Sequence, residues 1–467
     1  MNMQERYDKS LARYTTAMKG GTPDRVPIRP FTAEFCAKFA GMTCQDVAHD
    51  YNKAYESVIA TAKGFEWDAM VPNMVWVWTG LAQSIGLKYY AIPGIHIPAD
   101  TGFQYHEPPE NGAYMQPTEY DELIDDPTAF ILNKWLPRVA APMSPISGTV
   151  TLKHNMSLLK GGMAMMQYFQ SIGPQVQRMK TETGTVSAIA GILKAPMDIL
   201  ADKFRGYLGL LSDLETQPEK VKRACEALAP HLFRVALDSS DPTGTVPIGF
   251  WMHRSCVPMV TPAHFSEIFW PTLRPIIEEL WRNGRQTLFY AEGNWDYHLD
   301  DFAKLPAHSI VYHIDQGNPA KIFSKLGGKF CISGGVPNAM LGYGTPAQVR
   351  AKVKELIGTC GKEGGYIMDA SAIVQNDAQI ENMKALTEAT LEYGVYSQGR
   401  SAPAAVRPEK EIQVGRPTRT PPGSVEPWDK AKTDWPKVTG DEKLVKDIWA
   451  QIDGLAYMYA WHVVESF

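Results

Sequence analysis

The stretch YAEGNW (290–295) sets a carboxylate, Glu292, directly after a short apolar run and before a glycine that frees the backbone to turn. Other apolar runs close on polar groups in the same way. VPIGFWMH (246–253) ends in His253, with Cys256 just beyond; SIVYHID (309–315) ends in His313 and Asp315; GGYIMDA (364–370) reaches Asp369; WDAMVPN (67–73) ends in Asn73. His, Cys, Glu and Asp converging on one place suit either a zinc ion or an acid/base cluster. Glu292 is the expected acid, base or ligand, with His313 and Asp315 as its catalytic partners, and Glu292, His253 and Cys256 are the candidate zinc ligands. Taken singly, each has an ordinary explanation: a histidine at a strand end is more often a satisfied structural group, and an aspartate before a helix is usually a cap. Together they favour a site, because several polar groups brought to one place are costly unless solvated or paired. Asn73, Trp76, Trp78, Trp295 and Tyr297 lie beside these run ends and are expected to line an apolar substrate cleft, although large aromatics more commonly just fill cores.

Elements must exist to position such groups. Eight short apolar runs begin near residues 25, 67, 185, 246, 286, 309, 329 and 364, and helical patterns separate most of them. Two of those helices open with Thr-Pro, at Thr261-Pro262 and Thr345-Pro346, a capping residue followed by proline at the first helical position. Strand and helix in alternation predict an α/β fold, a (β/α)8 TIM barrel spanning 1–397, whose active site sits at the C-terminal ends of the strands. A doubly wound open sheet is the runner-up, weakened because no GxGxxG follows the first run. An insertion at about 74–184, after the second strand, is expected to form a lid or subsidiary layer over one mouth. Residues 398–438, rich in Pro and Gly, read as an extended tether. Residues 439–467 carry apolar positions at helical spacing, so this C-terminal amphipathic helix needs a surface, on its own barrel or on a second copy in a homodimer.

Bulk properties narrow the function classes. The 467 residues include 44% hydrophobic and 21% charged, which supports a large core, and the net charge of -5 without a basic stripe argues against nucleic-acid or membrane-surface partners. No apolar run approaches the ~20 residues that span a bilayer. The six cysteines form no CxxC pair, which points to reduced thiols in a cytoplasmic protein. GxxxxGK[ST], GxSxG and HExxH are all missing.

Several ordered segments resemble the uroporphyrinogen decarboxylase superfamily. They are RVPI, GFEWDAMV, RGYLGLLSDLETQPEKVKRACEAL, TPAHFSEIFWPTLRPIIEELWRNG, the AEGN turn, GGVPNAMLGYGTPAQVRAKVKELI, GGYIMDAS and ENMKALTEATLEYGVY, spread over roughly 20 to 397. The resemblance implies a (β/α)8 barrel and two branches of activity: cofactor-free decarboxylation of a porphyrinogen, or methyl transfer to or from a corrinoid carried by a separate protein, usually with zinc. The decarboxylase branch carries an arginine-rich segment near its first strand; here that stretch holds only Arg25 and Arg29. The methyltransferase branch is the closer likeness, yet its thiol-activating members show His-x-Cys-Gly where this chain has Tyr290-Ala-Glu292-Gly293, and a cysteine where it has Asp369-Ala-Ser-Ala372. DYH (296–298) resembles the start of a corrinoid-binding pattern but lacks its glycine, so it reads as a helix start and the corrinoid (methylcobalamin or another) would come on a partner protein. The expected function is corrinoid-dependent methyl transfer on an apolar, oxygen-bearing small molecule, where a Glu, His and Asp set suits oxygen better than thiol chemistry. A lyase acting on a smaller acid, with Arg254 contacting it, and a non-catalytic barrel subunit are the alternatives.

Overall fold

The structure, a computed structural model, describes residues 2–72, 79–80, 82–83, 85–106, 108, 113–140, 152–434 and 437–466; Asn73, Trp76 and Trp78 lie outside the described residues. Its centre is a parallel six-stranded sheet built from β3 (Ile192–Lys194), β4 (Ile248–Met252), β5 (Thr287–Ala291), β6 (Ile310–Ile314), β7 (Cys331–Gly334) and β8 (Tyr366–Ile367), each hydrogen-bonded to the next. Every residue of these strands is buried, as near-continuous apolar runs covered on both faces require. A shorter parallel pair, β1 (Ala69–Met70) with β2 (Val186–Ser187), lies beside them. Backbone bonds carry the pattern further: Asp68 N and Ala69 N donate to Ile28 O, Arg29 N to Met368 O, and Ala190 N to Pro247 O. With helices around the sheet, this is an α/β fold of distorted TIM-barrel-like form.

Two apolar runs depart from the expected strands for local reasons. In RVPIRPF, Pro27 and Pro30 have no N–H to give to a ladder, so the segment joins its neighbours only through single bridges such as Ile28 with Met368. In TVSAIAGILK, Gly191 at φ +87° turns the backbone and splits the run into β2 and β3.

Helices form where apolar side chains recur every three or four residues. In α4 (Trp270–Arg282) these are Leu273, Ile276, Ile277 and Leu280, all buried. Thr345 accepts from Gln348 N at 3.3 Å and receives that side chain in return, and Thr261 accepts from His264 N at 3.1 Å. Between β1 and β2 the chain forms a two-stranded antiparallel hairpin (90–91 with 104–105), short helices, and the long α2 (Leu152–Thr183). The hairpin region brings Tyr89 and Tyr105 within 4.2 and 5.3 Å of the buried Lys203 ammonium. Residues beyond 398 run as an irregular strap hydrogen-bonded to the body, with Trp281 Nε1 donating to Val406 O and Ile412 N to Glu279. The strap leads to α5 (Glu442–Glu465), buried at Tyr459, Ala460, Trp461 and from Val463 onward while Leu444, Ile448 and Ile452 stay exposed. Among the described residues no helix is long and apolar enough to cross a membrane.

Glu34 follows the first run and is fully buried, with one carboxylate oxygen unpartnered. Burial pushes its pKa up to about 7, with the thiols of Cys36 and Cys44 nearby. The folded state therefore holds a proton that the unfolded chain releases, and this contribution to stability is lost as pH rises through about 7. Relative to Glu34→Gln, the wild type is expected to lose roughly 3 kcal/mol between pH 4.5 and pH 8. Urea midpoints of both proteins at the two pH values check this; a gap that does not change with pH would refute it.

Candidate active site

Strand register explains which side chains meet. Trp251, Tyr290, His313 and Ser333 are aligned across β4 to β7. Alternate residues of a strand share a face, so His253, Glu292 and Asp315, two residues further along, form the next layer at the C-terminal ends. A cavity of about 470 Å³ opens there, lined by His253, Cys256, Glu292 and Asp315, together with Asn338 and Gln375.

Glu292 is held by its backbone, whose N–H donates to Met252 O at 2.9 Å, and the turn is completed by Gly293 at φ +89°. A Cβ on Gly293 would stand 2.7 Å from Cys256 Sγ, so glycine serves both the turn and the close approach. The Glu292 carboxyl makes no hydrogen bond to any described residue. Burial raises its pKa above the ordinary carboxylate value; His253 opposes the rise and Asp315 adds to it. Asp315 accepts from Gly293 N at 2.8 Å, and burial raises its pKa as well, against the bonds from Gly293 and Ser371.

His253 is tied to a group that reading the sequence missed. Asp202 Oδ2 lies 2.9 Å from His253 Nε2, and the same carboxylate meets Lys194 Nζ and Arg254 Nε, each at 3.0 Å. Burial alone would raise the Asp202 pKa, but these cations hold it well below the ordinary range. Burial likewise opposes the His253 charge, and the Asp202 carboxylate more than offsets that, leaving the imidazole pKa raised. The available signal was PMDILADKF, two acids four apart in an otherwise apolar segment that follows β3.

Three expectations are corrected by placement. His313 is not at the mouth: it is fully buried one layer down, stacked on Tyr290 at 4.1 Å, with Nδ1 3.0 Å from Ser333 Oγ and Nε2 3.0 Å from Ser371 O. A carbonyl only accepts, so Nε2 carries the hydrogen and Nδ1 accepts from the serine. Burial, reinforced by the Arg29 charge, drives this imidazole pKa well down, so it is neutral. Trp295 is buried behind the turn, where Nε1 donates to Glu292 O at 2.8 Å, and Tyr297 is 70% exposed; neither lines the cavity. The zinc set is not assembled, because among the described residues no three His, Cys, Asp or Glu side chains cluster closely enough to hold a metal ion. His253 Nε2 bonds Asp202 while its buried Nδ1 is left without a hydrogen-bond partner, and the Cys256 thiol, raised in pKa by burial, points its Sγ–H at His253 O at 3.5 Å.

Residues 137–393, more than half of the chain, match the family described as uroporphyrinogen decarboxylase (URO-D). The chain belongs to the uroporphyrinogen decarboxylase family. Among solved structures, a methyltransferase from Methanosarcina mazei shares the fold of this family member at 15% identity, with a TM-score of 0.52 over 82% of this chain and 98% of that one. No curated protein matches the chain. Within the family fold, the first-run arginines are turned inward: Arg25 pairs with Asp68 at 2.8 Å and Arg29 with Asp369 at 3.1 Å.

Proposed function

We propose that this chain is the substrate-binding subunit of a corrinoid-dependent methyltransferase, moving a methyl group between an apolar, oxygen-bearing substrate and a corrinoid on a separate protein. The observation that carries the reading is Glu292: an unpartnered carboxyl, raised in pKa, on the wall of the mouth cavity beside a second acid. In its protonated form it donates to the ether oxygen of a bound substrate as the carbon–oxygen bond breaks; in the reverse direction its carboxylate takes the proton of a hydroxyl. Asp315, fixed by the Gly293 N–H, helps keep that proton on Glu292. Trp295 anchors the turn, and Asp202 orients His253 at the cavity edge. A reduced corrinoid supplies the nucleophile that accepts the methyl group. The cavity, about 470 Å³, has room for a one- or two-ring substrate and not for a corrin ring as well, so the corrinoid would meet the mouth from outside. No three-ligand cluster forms among the described residues, and no step is assigned to zinc. The backbone bonds joining Ile28 to both Ala69 and the 366–368 segment support a closed eight-stranded barrel as part of this proposal.

One observation favours a second reading. Lys194, Arg254 and His253 gather around Asp202 beside the cavity, cations of the kind that bind a substrate carboxylate, as a lyase would need. The inward-turned Arg25 and Arg29 leave the highly anionic porphyrinogen without the counter-charges of a true decarboxylase site. The test mixes purified protein, chemically reduced free corrinoid and a panel of aryl methyl ethers and aromatic acids. Demethylated phenol appearing in step with loss of the reduced-corrinoid absorbance is the expected result. Release of carbon dioxide with no methyl transfer would replace this proposal with the lyase.

A further inference from the structure

A second cavity lies away from the mouth. It has a volume of about 870 Å³ and opens on the flank beside the break between β2 and β3. Leu11 from the N-terminal helix α1 (Met3–Met18), Ile172 and Val176 from α2, Ile189 from the β2–β3 bend, and Met458 and His462 from α5 contribute to its wall. This size and mostly carbon lining are those of small-molecule sites.

The two acids in that wall are engaged, Asp238 with Arg234 Nε at 2.6 Å and Asp241 with the N–H groups of Thr243 and Thr245, and His462 differs from them. His462 Nδ1 lies 2.9 Å from Met458 O, and because a carbonyl only accepts, Nδ1 carries the hydrogen. Burial lowers the imidazole pKa to about 4, so the ring is neutral and Nε2 is a bare acceptor. Nε2 makes no hydrogen bond to any described residue, and the ring edge packs on Phe169 at 4.7 Å between centroids. Nε2 is thus an acceptor that a ligand's donor can reach from the cavity. Among the described lining residues the lysine is Lys180, which sits over the Tyr7 ring at 4.4 Å, a partner that needs no anion.

We infer that this flank cavity is a second small-molecule site, separate from the mouth, for a neutral apolar ligand of two or more rings that presents one O–H or N–H donor to His462 Nε2. The ligand would touch α5, α2 and the β2–β3 bend together, so its binding would clamp the terminal helix to the body.

The probe for the test is N-phenylnaphthylamine, an apolar fluorophore with a single N–H, titrated into the full-length protein. Saturable binding of one probe per chain is expected. Val176→Trp and Ile172→Trp, two independent ways of filling the cavity, should each weaken binding at least about tenfold, with thermal melts confirming that the variant read is folded. His462→Phe should weaken the probe about two- to tenfold and leave phenylnaphthalene, which lacks the N–H, unchanged. Ala372→Trp, which obstructs the mouth, should have no effect. Affinity that ignores both filling variants, or that falls with Ala372→Trp instead, overturns the proposal.

Discussion

Glu292→Gln is expected to lower methyl-transfer turnover about 100- to 1000-fold, with the melting temperature unchanged within about 2 °C. The amide keeps the size and planar shape of the acid and removes the exchangeable acid proton. Because the carboxyl has no bonded partner among the described residues, the substitution leaves no buried group stranded, which is why stability should hold. The loss should appear in kcat with KM nearly constant, since a proton moved as the bond breaks matters only in the transition state. Asp315→Asn keeps the bond from Gly293 and removes the charge that raises Glu292, so a smaller loss, about tenfold, is expected there. Steady-state kinetics with an aryl methyl ether and excess reduced corrinoid decide the matter. Full turnover by Glu292→Gln would remove Glu292 from the chemistry and leave the mouth with positioning roles alone.

How much of this could be read from the chain? Strands buried on both faces announce themselves as unbroken apolar runs, and TLFYA, IVYHI and IGFWM each became a strand because nothing in them opposes one. Glu292 was legible for a related reason: a carboxylate followed by Gly at the end of such a run has few places to go but the mouth. Depth was harder. His313 and Asp315 lie two residues apart and face the same way, and only the register with Tyr290 and Ser333 shows that the histidine lies one layer below the aspartate. Asp202 was illegible because two of its three partners, His253 and Arg254, lie just past β4 and some fifty residues further along the chain. Trp295 was misjudged because a turn has no periodicity from which to predict which side of it a ring will take.

The buried layer beneath the site should matter as much for folding as Glu292 does for chemistry. Arg29 and Asp369 are both fully buried and 3.1 Å apart, and Arg29 also donates to Ser333 Oγ at 3.0 Å, which in turn serves His313 Nδ1. Asp369 further accepts from Phe31 N at 3.1 Å, tying the proline-rich first run to the end of β8. Asp369→Asn preserves the shape but leaves the guanidinium charged and uncompensated in a layer of aromatic rings, so at pH 8.5, above the value of about 7 to which burial pushes the Asp369 carboxyl, a loss of about 3–5 kcal/mol is expected. Arg29→Met combined with Asp369→Leu removes both charges and should recover most of that loss, because the desolvation cost disappears along with the attraction. Urea unfolding of the two variants separates the possibilities. If Asp369→Asn stays within about 1 kcal/mol of wild type, the charge has found water or another partner and the layer is not the buried ion pair described here. If the double variant is as unstable as the single one, the bonds to Phe31 and Ser333, and not the charge balance, hold the first run in place.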